Sequence, residues 1–87
     1  MIKITKATHL SDFVIELEFS DGTCGEYDLG DTLQRPSPLT ESLRDIQEFK
    51  KFFLDLGALC WPNGLELSPS AIHQKLEDAG KLHQRVA

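Results

Sequence analysis

The clearest pattern along the chain is an alternation of apolar and acidic residues. Ile15, Leu17 and Phe19 alternate with Glu16 and Glu18. Successive side chains of a strand point to opposite faces, so this alternation is typical of a strand with one buried and one wet face. The segment therefore predicts a half-buried strand whose acidic side chains face solvent.

A hairpin signal follows this strand. Asp21 and Gly22 stand between two strand-like runs, and a type I′ turn, which needs positive φ at both central residues, favours this pair. The chain then returns as a second strand, with Tyr27 and Leu29 as inward positions. We predict an antiparallel hairpin over residues 13–29.

Two other segments show strand-like patterns. Ile2 and Ile4 alternate with polar residues, so residues 2–8 predict a first strand. Residues 53–67 predict two strands joined near Gly57. Both segments are short, and they extend the hairpin into a small sheet.

Helix signals lie in the second half of the chain. Thr40 is a candidate N-cap for a short helix, and residues 47–50 predict a second one. Ser68 and Pro69 mark the start of a longer helix, because Pro suits the first helical position, and Gly80 is positioned to end it.

These elements predict one α+β domain over residues 1–80. Its layout is two-layered, with a small, mostly antiparallel sheet and two or three helices on one side. The sheet comprises the hairpin 13–29 and the strands near 2–8 and 53–67. Residues 81–87 are expected to form a C-terminal tail or a helix extension. A length of 87 residues fits a single domain.

The charge balance limits the classes of partner. Nine Lys and Arg against fourteen Asp and Glu give a net charge of −5, and an acidic surface repels phosphate backbones. Direct binding to nucleic acid or to a membrane is therefore not expected, whereas a basic protein partner is compatible. The chain has no apolar run of roughly 20 residues, and its start alternates instead of forming an apolar stretch. We expect a cytoplasmic protein.

The cysteines and histidines show no pattern of a catalytic or metal site. Cys24 and Cys60 lie far apart and form no Cys-x-x-Cys pair, so reduced thiols packed in strands are expected, with a disulfide or a reactive thiol as the alternative. His73 and His83 are ten residues apart on or near a helix, too far to share an ion. They are expected to be solvated. No catalytic residue, cofactor or metal ligand is predicted.

The segment around Trp61 has two interpretations. In one, Trp61 is an aromatic plug over a small core and the following residues form a tight turn. In the other, Trp61 and nearby Glu66 form an exposed patch for a partner, since Trp and Tyr are favoured at interfaces. The candidate partner-binding residues are Trp61, Asn63, Glu66 and Tyr27.

The motifs also follow a recognisable order along the chain. They are Ile15-Glu16-Leu17-Glu18-Phe19-Ser20-Asp21-Gly22, Tyr27-Asp28-Leu29, Leu43-Arg44-Asp45 with Phe49, and Cys60-Trp61-Pro62-Asn63-Gly64-Leu65-Glu66-Leu67-Ser68-Pro69. This order resembles the bacterial domain of unknown function 2442 family from about Ile2 to Ile72. The Trp-Pro-Asn-Gly run is the specific part, and family members usually have Asp where this chain has Glu66.

The resemblance implies a small two-layer α+β fold without known enzymatic activity. Members of that family resemble the antitoxin halves of toxin–antitoxin pairs. Some relatives add a helix-turn-helix domain, for which this chain has no residues left over. We therefore expect a non-catalytic protein-interaction module whose partner is a small basic toxin. The alternatives are a self-associating adaptor or structural domain that forms a homodimer, and a small-ligand binder or cysteine-dependent enzyme.

Overall fold

The computed structural model describes residues 1–85 and confirms the α+β class. Within these residues the strands are β1 (Ile4–Ser11), β2 (Val14–Phe19), β3 (Thr23–Asp28), β4 (Phe53–Asp55), β5 (Ala58–Cys60), β6 (Glu66–Leu67) and β7 (His83–Gln84). The helices are α1 (Gly30–Leu33), α2 (Pro38–Ser42), α3 (Ile46–Phe49) and α4 (Pro69–Asp78).

The larger sheet has the strand order β1-β2-β3-β7, and each neighbouring pair is antiparallel. The predicted hairpin is its centre. Its turn, however, is not of type I′, because only Gly22 has a positive φ (87°) between β2 and β3. Phe19 accepts a 3.1 Å hydrogen bond from the Gly22 amide, and the loop has three residues instead of two. A three-residue loop of this kind places a glycine in the left-handed region at its last position.

The strands predicted over residues 53–67 form a sheet of their own, with the order β4-β5-β6. They do not extend the larger sheet, and the turn between β4 and β5 contacts the start of β1. The Ile4 amide donates a 2.9 Å hydrogen bond to the Gly57 carbonyl. The two sheets are therefore joined at the start of β1.

The helix starts follow local capping. Ser68 caps α4 by accepting a hydrogen bond from the Ala71 amide over 3.3 Å, as predicted. The prediction for Thr40 is wrong: α2 begins at Pro38, and Ser37 caps it. Thr40 is only 6% exposed, and its hydroxyl donates to the Ser37 carbonyl over 3.0 Å. Proline at the first helical position places the N-cap three residues earlier, at Ser37 instead of Thr40.

The end of the described chain also differs from the prediction. Residues 83–84 are neither tail nor helix extension; they pair with β3 as an edge strand. Gly25 allows this approach, since a Cβ at that position would lie 2.8 Å from the Lys81 carbonyl oxygen. The part of the predicted tail formed by residues 86 and 87 lies outside the described residues.

One apolar core lies between the inner face of the larger sheet, the smaller sheet and the helices. Its buried side chains are Ile4, Ile15, Leu17, Phe19, Tyr27, Leu29, Leu33, Leu43, Phe49, Leu59, Trp61, Ile72 and Leu76. Within residues 1–85, the helices are all too short or too polar to cross a membrane.

Candidate protein-interaction surface

The face of the larger sheet that points away from the core carries a group of carboxylates. Ile15 and Leu17 of β2 are fully buried, so by alternation Glu16 and Glu18 point outward. On β3 the corresponding outward residues are Glu26 and Asp28. We call these four carboxylates (Glu16, Glu18, Glu26 and Asp28) the acidic face.

Two of these carboxylates are directly opposite each other. Glu16 of β2 is paired with Glu26 of β3. The Leu29 amide donates to the Phe13 carbonyl over 2.9 Å, which fixes the alternation of the ladder and makes this pair a non-hydrogen-bonded one. Side chains come closest in such pairs, and like charges there destabilise a sheet by about 0.2–1 kcal/mol.

The cations of the sheet neutralise a different carboxylate. Glu18 accepts a 3.1 Å hydrogen bond from Arg85 Nη1 and lies 4.0 Å from Lys6 Nζ. In the described part of the chain, Glu16, Glu26 and Asp28 have no Lys or Arg nitrogen within 4.0 Å. Three exposed carboxylates of the acidic face therefore lack a cationic partner in residues 1–85.

A shallow groove of about 410 Å³ runs along β3 beside these carboxylates. Its walls include Val14, Glu16, Glu26, Asp28, Lys81 and His83. These residues come from the outward side of β2 and β3 and from the segment at Lys81 and His83. The groove is thus open to solvent and dominated by negative charge.

Cys24 and His83 meet across the β3–β7 pair, where they are register partners. Both line the groove. Among residues 1–85, however, Cys24 Sγ makes no hydrogen bond to the His83 ring, which a nucleophile and its base require. The arrangement brings together a thiol and an imidazole without the contact that activates a thiol.

Cys60 lies on the other sheet, in surroundings that disfavour its thiolate. It is 5% exposed, and burial raises the pKa of its thiol, with a further contribution from Glu66, whose Oε1 lies 3.5 Å from Sγ. A thiol with a raised pKa stays protonated at neutral pH and is a poor nucleophile. Both cysteines are free in the structure.

The aromatic residues predicted to contact a partner are buried. Trp61 is 2% exposed and Tyr27 8% exposed. The indole Nε1 of Trp61 donates a 2.8 Å hydrogen bond to the Phe49 carbonyl, so the aromatic plug is the interpretation that matches its position. Neither ring is presented to solvent in this structure.

Asn63 is exposed, but its side chain is fully engaged. Its Nδ2 donates to the Leu39 carbonyl over 2.9 Å and to Ser42 Oγ over 2.8 Å, and its Oδ1 accepts from the Leu65 amide over 3.0 Å. The residue ties the turn after β5 to α2. Glu66 is exposed beside Cys60. A role of Asn63 or Glu66 in partner binding stays a prediction.

A second group of polar residues lies where α4 meets the hairpin turn. His73 Nε2 is 2.8 Å from Asp21 Oδ2, and Thr23 donates to Asp21 Oδ1 over 2.6 Å. The prediction of a solvated His73 is wrong, since its side chain is 15% exposed and packs edge-on against Phe19. Asp21 lies between the hydroxyl and the imidazole, so this group links α4 to the sheet.

The pKa of Asp21 is lowered, chiefly by the hydrogen bond from Thr23 and to a smaller extent by the contact with His73. Burial of the carboxylate acts in the opposite direction and raises this pKa.

In the described residues, no group of three or more His, Cys, Asp or Glu side chains converges in a way that could hold a metal ion.

The structure adds Glu26 and Asp28 to the acidic residues that the sequence had already placed on the wet side of a strand. Their alternation with Tyr27 and Leu29 was visible in the sequence. Their position opposite Glu16 and Val14 was not, because the register of a hairpin depends on the length of its turn.

The comparison with protein-family models supports the family resemblance. A family model described as "Protein of unknown function (DUF2442)" matches residues 4–76, a range that includes both strands of the acidic face. No curated protein and no solved structure matches the chain.

Proposed function

The chain belongs to the DUF2442 family of proteins of unknown function, and on this premise we propose that it is a non-catalytic protein-interaction module whose acidic face binds a basic protein. The finer form of the proposal is that the module acts as the antitoxin half of a toxin–antitoxin pair. Its partner would then be a small basic toxin that the module masks.

The observation that carries the proposal is the pairing of Glu16 with Glu26. The two facing carboxylates destabilise the sheet by about 0.2–1 kcal/mol. The nearby cations Lys6 and Arg85 do not offset this repulsion, because both pair with Glu18 instead. A cation supplied by a partner would relieve this repulsion. Complementary charge of this kind chiefly raises the association rate and selects the partner.

The sites available for chemistry support a non-catalytic role. The Cys60 thiol is kept protonated by burial, Cys24 lacks a hydrogen bond from a base in the described chain, and Asp21 stands between Thr23 and His73. In residues 1–85, neither Cys24 nor Thr23 is therefore hydrogen-bonded to a histidine, and the Cys60 thiol has a raised pKa.

The proposal is tested by co-expressing the chain with the product of its neighbouring gene and measuring affinity at several salt concentrations. We expect a complex that weakens with added salt. The double variant Glu16→Lys and Glu26→Lys reverses the charge at the centre of the acidic face, and it should weaken binding at least about tenfold.

The matched control is the double variant Glu41→Lys and Glu48→Lys, which changes the net charge equally on the exposed surfaces of α2 and α3. It should keep an affinity within about threefold of the unmodified chain. Equal losses in both variants would mean that net charge alone matters. Absence of a complex, or no effect of the first variant, would refute the proposal.

A further inference from the structure

The outer edge of β3 is paired over only part of its length. β7 is two residues long and pairs with Thr23 and Cys24. The rest of β3, at Glu26 and Asp28, has β2 on one side and, within residues 1–85, no paired strand on the other. The larger sheet therefore has an open edge next to the acidic face.

The open edge offers backbone hydrogen-bonding groups. The Leu29–Phe13 hydrogen bond and the alternation of an antiparallel ladder direct the backbone groups of Gly25 and Tyr27 toward β2. Those of Glu26 and Asp28 point to the free edge of the sheet. In residues 1–85, their amides and carbonyls have no hydrogen-bond partner there.

The opposite edge of the sheet is protected and this one is not. The pairing of β1 with β2 has register shifts between Ile4 and Lys6 and between His9 and Ser11, and Lys6 stands on that edge. Bulges and edge lysines are devices that prevent strand addition. The pairing of β2 with β3 runs without a shift from Val14 to Glu18.

Charge decides what fits the open edge. A second copy of the chain would bring further carboxylates against Glu26 and Asp28, whereas an extended segment with Lys or Arg at alternate positions would place cations beside these two carboxylates. Resting on the proposed function, we propose that the basic partner binds by adding an extended segment as a strand along β3 at Glu26 and Asp28.

A synthetic peptide of about seven residues that alternates Lys and Val is the probe, since this is the length of a common strand. Its matched control is the same peptide N-methylated at every backbone amide, which keeps the charge and removes the N–H donors. Two or three lost backbone hydrogen bonds should weaken binding by about tenfold or more.

Amide exchange locates the bound peptide. We expect the amides of Glu26 and Asp28 to become protected at least about tenfold in the complex, while those of Ala7 and His9 on the other edge of the sheet stay unchanged. The protein variants Glu26→Pro and Glu26→Gln lose the same charge, but only the proline removes the outward N–H. Because that N–H makes no bond to β2, proline is tolerated there, and Glu26→Pro should bind the unmethylated peptide more weakly than Glu26→Gln.

Equal binding of both peptides would overturn strand addition and leave the charge-based proposed function intact. Failure of the unmethylated peptide to bind would also overturn it, whether or not the neighbouring gene product forms a complex. Protection of Glu26 and Asp28 in concentrated protein without peptide would assign the edge to a second copy and overturn the choice of a basic partner.

Discussion

Trp61 reaches across the core and donates its indole hydrogen bond to the carbonyl oxygen of Phe49, over 2.8 Å. Phe49 is the last residue of α3, and helix C-termini leave carbonyl groups without partners. The two rings also pack at a centroid distance of 5.8 Å. Trp61 thus closes a helix end inside the core.

Replacing Trp61 by Phe should destabilise the protein by about 2–4 kcal/mol, because the variant leaves a cavity and an unpaired carbonyl. Urea unfolding followed by circular dichroism measures the loss. In the unmodified chain, Trp61 fluorescence should shift to longer wavelength on unfolding. Phe53→Leu is the control, since Phe53 is 46% exposed; a loss of equal size there would argue against a special role for Trp61.

Replacing Asn63 by Ala should cost about 1–3 kcal/mol of stability, because the side chain supplies bonds to Leu39, Ser42 and Leu65. Thermal unfolding gives the measurement, and Glu66→Gln, at an exposed neighbour, should change stability by less than about 0.5 kcal/mol. If Asn63→Ala left stability unchanged and only weakened a complex, Asn63 would be a partner contact after all.

The contribution of the Asp21 carboxylate to the stability of the protein should decrease as the pH is lowered. Its pKa is lowered in the folded state, first by the Thr23 hydroxyl and also by His73. A lowered folded pKa contributes stability above the unfolded value of about 3.9, and that contribution is lost as the pH falls through the folded value. Asp21→Ala should therefore be less stable than the unmodified chain at pH 6, with the difference shrinking below about pH 4.

Thr23→Val is the informative companion, since it removes the largest cause of the shift and keeps the carboxylate. Its stability should depend less on pH below about pH 4 than that of the unmodified chain. Melting temperatures across a pH series provide both comparisons. A constant difference between Asp21→Ala and the unmodified chain from pH 6 to pH 3 would contradict this account of Asp21.

Leu56 occupies a position that does not suit leucine. It lies in the two-residue turn between β4 and β5 with φ of 51°, and its side chain is 88% exposed. The left-handed region costs a non-glycine residue about 1–2 kcal/mol. Leu56→Gly should therefore stabilise the protein by about 1 kcal/mol in thermal or urea unfolding.

Leu56→Ala separates the two contributions, because alanine removes the apolar exposure but keeps the backbone penalty. It should give less than half of the gain from glycine. An equal gain from alanine would show that exposure, and not backbone conformation, sets the cost.

The sequence predicted those elements whose signals are local. Ser68 and Pro69 fix the start of α4 within a few residues, and the alternation around Leu17 fixes β2. Thr40 was wrongly predicted to be the N-cap of α2, because Ser37 followed by proline is a second candidate cap. N-cap propensity alone does not decide between Ser37 and Thr40. The strand at His83 is polar and depends on the missing side chain of Gly25, a contact between distant parts of the chain.

The candidate surface was predictable only in part. The acidic side of β2 follows from alternation, but the pairing of Glu16 with Glu26 requires the register, which a three-residue turn sets. Predicting the free edge at Asp28 requires knowing where β7 begins, at His83, and this depends on how the chain leaves α4. Sequence patterns predict which side chains share a face of a strand better than they predict which residues lie opposite each other on neighbouring strands.

The hydrogen bond between the Ile4 amide and the Gly57 carbonyl joins segments from opposite halves of the chain. Forming this contact closes a long loop, whose entropic cost is recovered only when both sheets are in place. Neither half is then a folding unit, and the molecule should melt in one cooperative transition in spite of its two sheets.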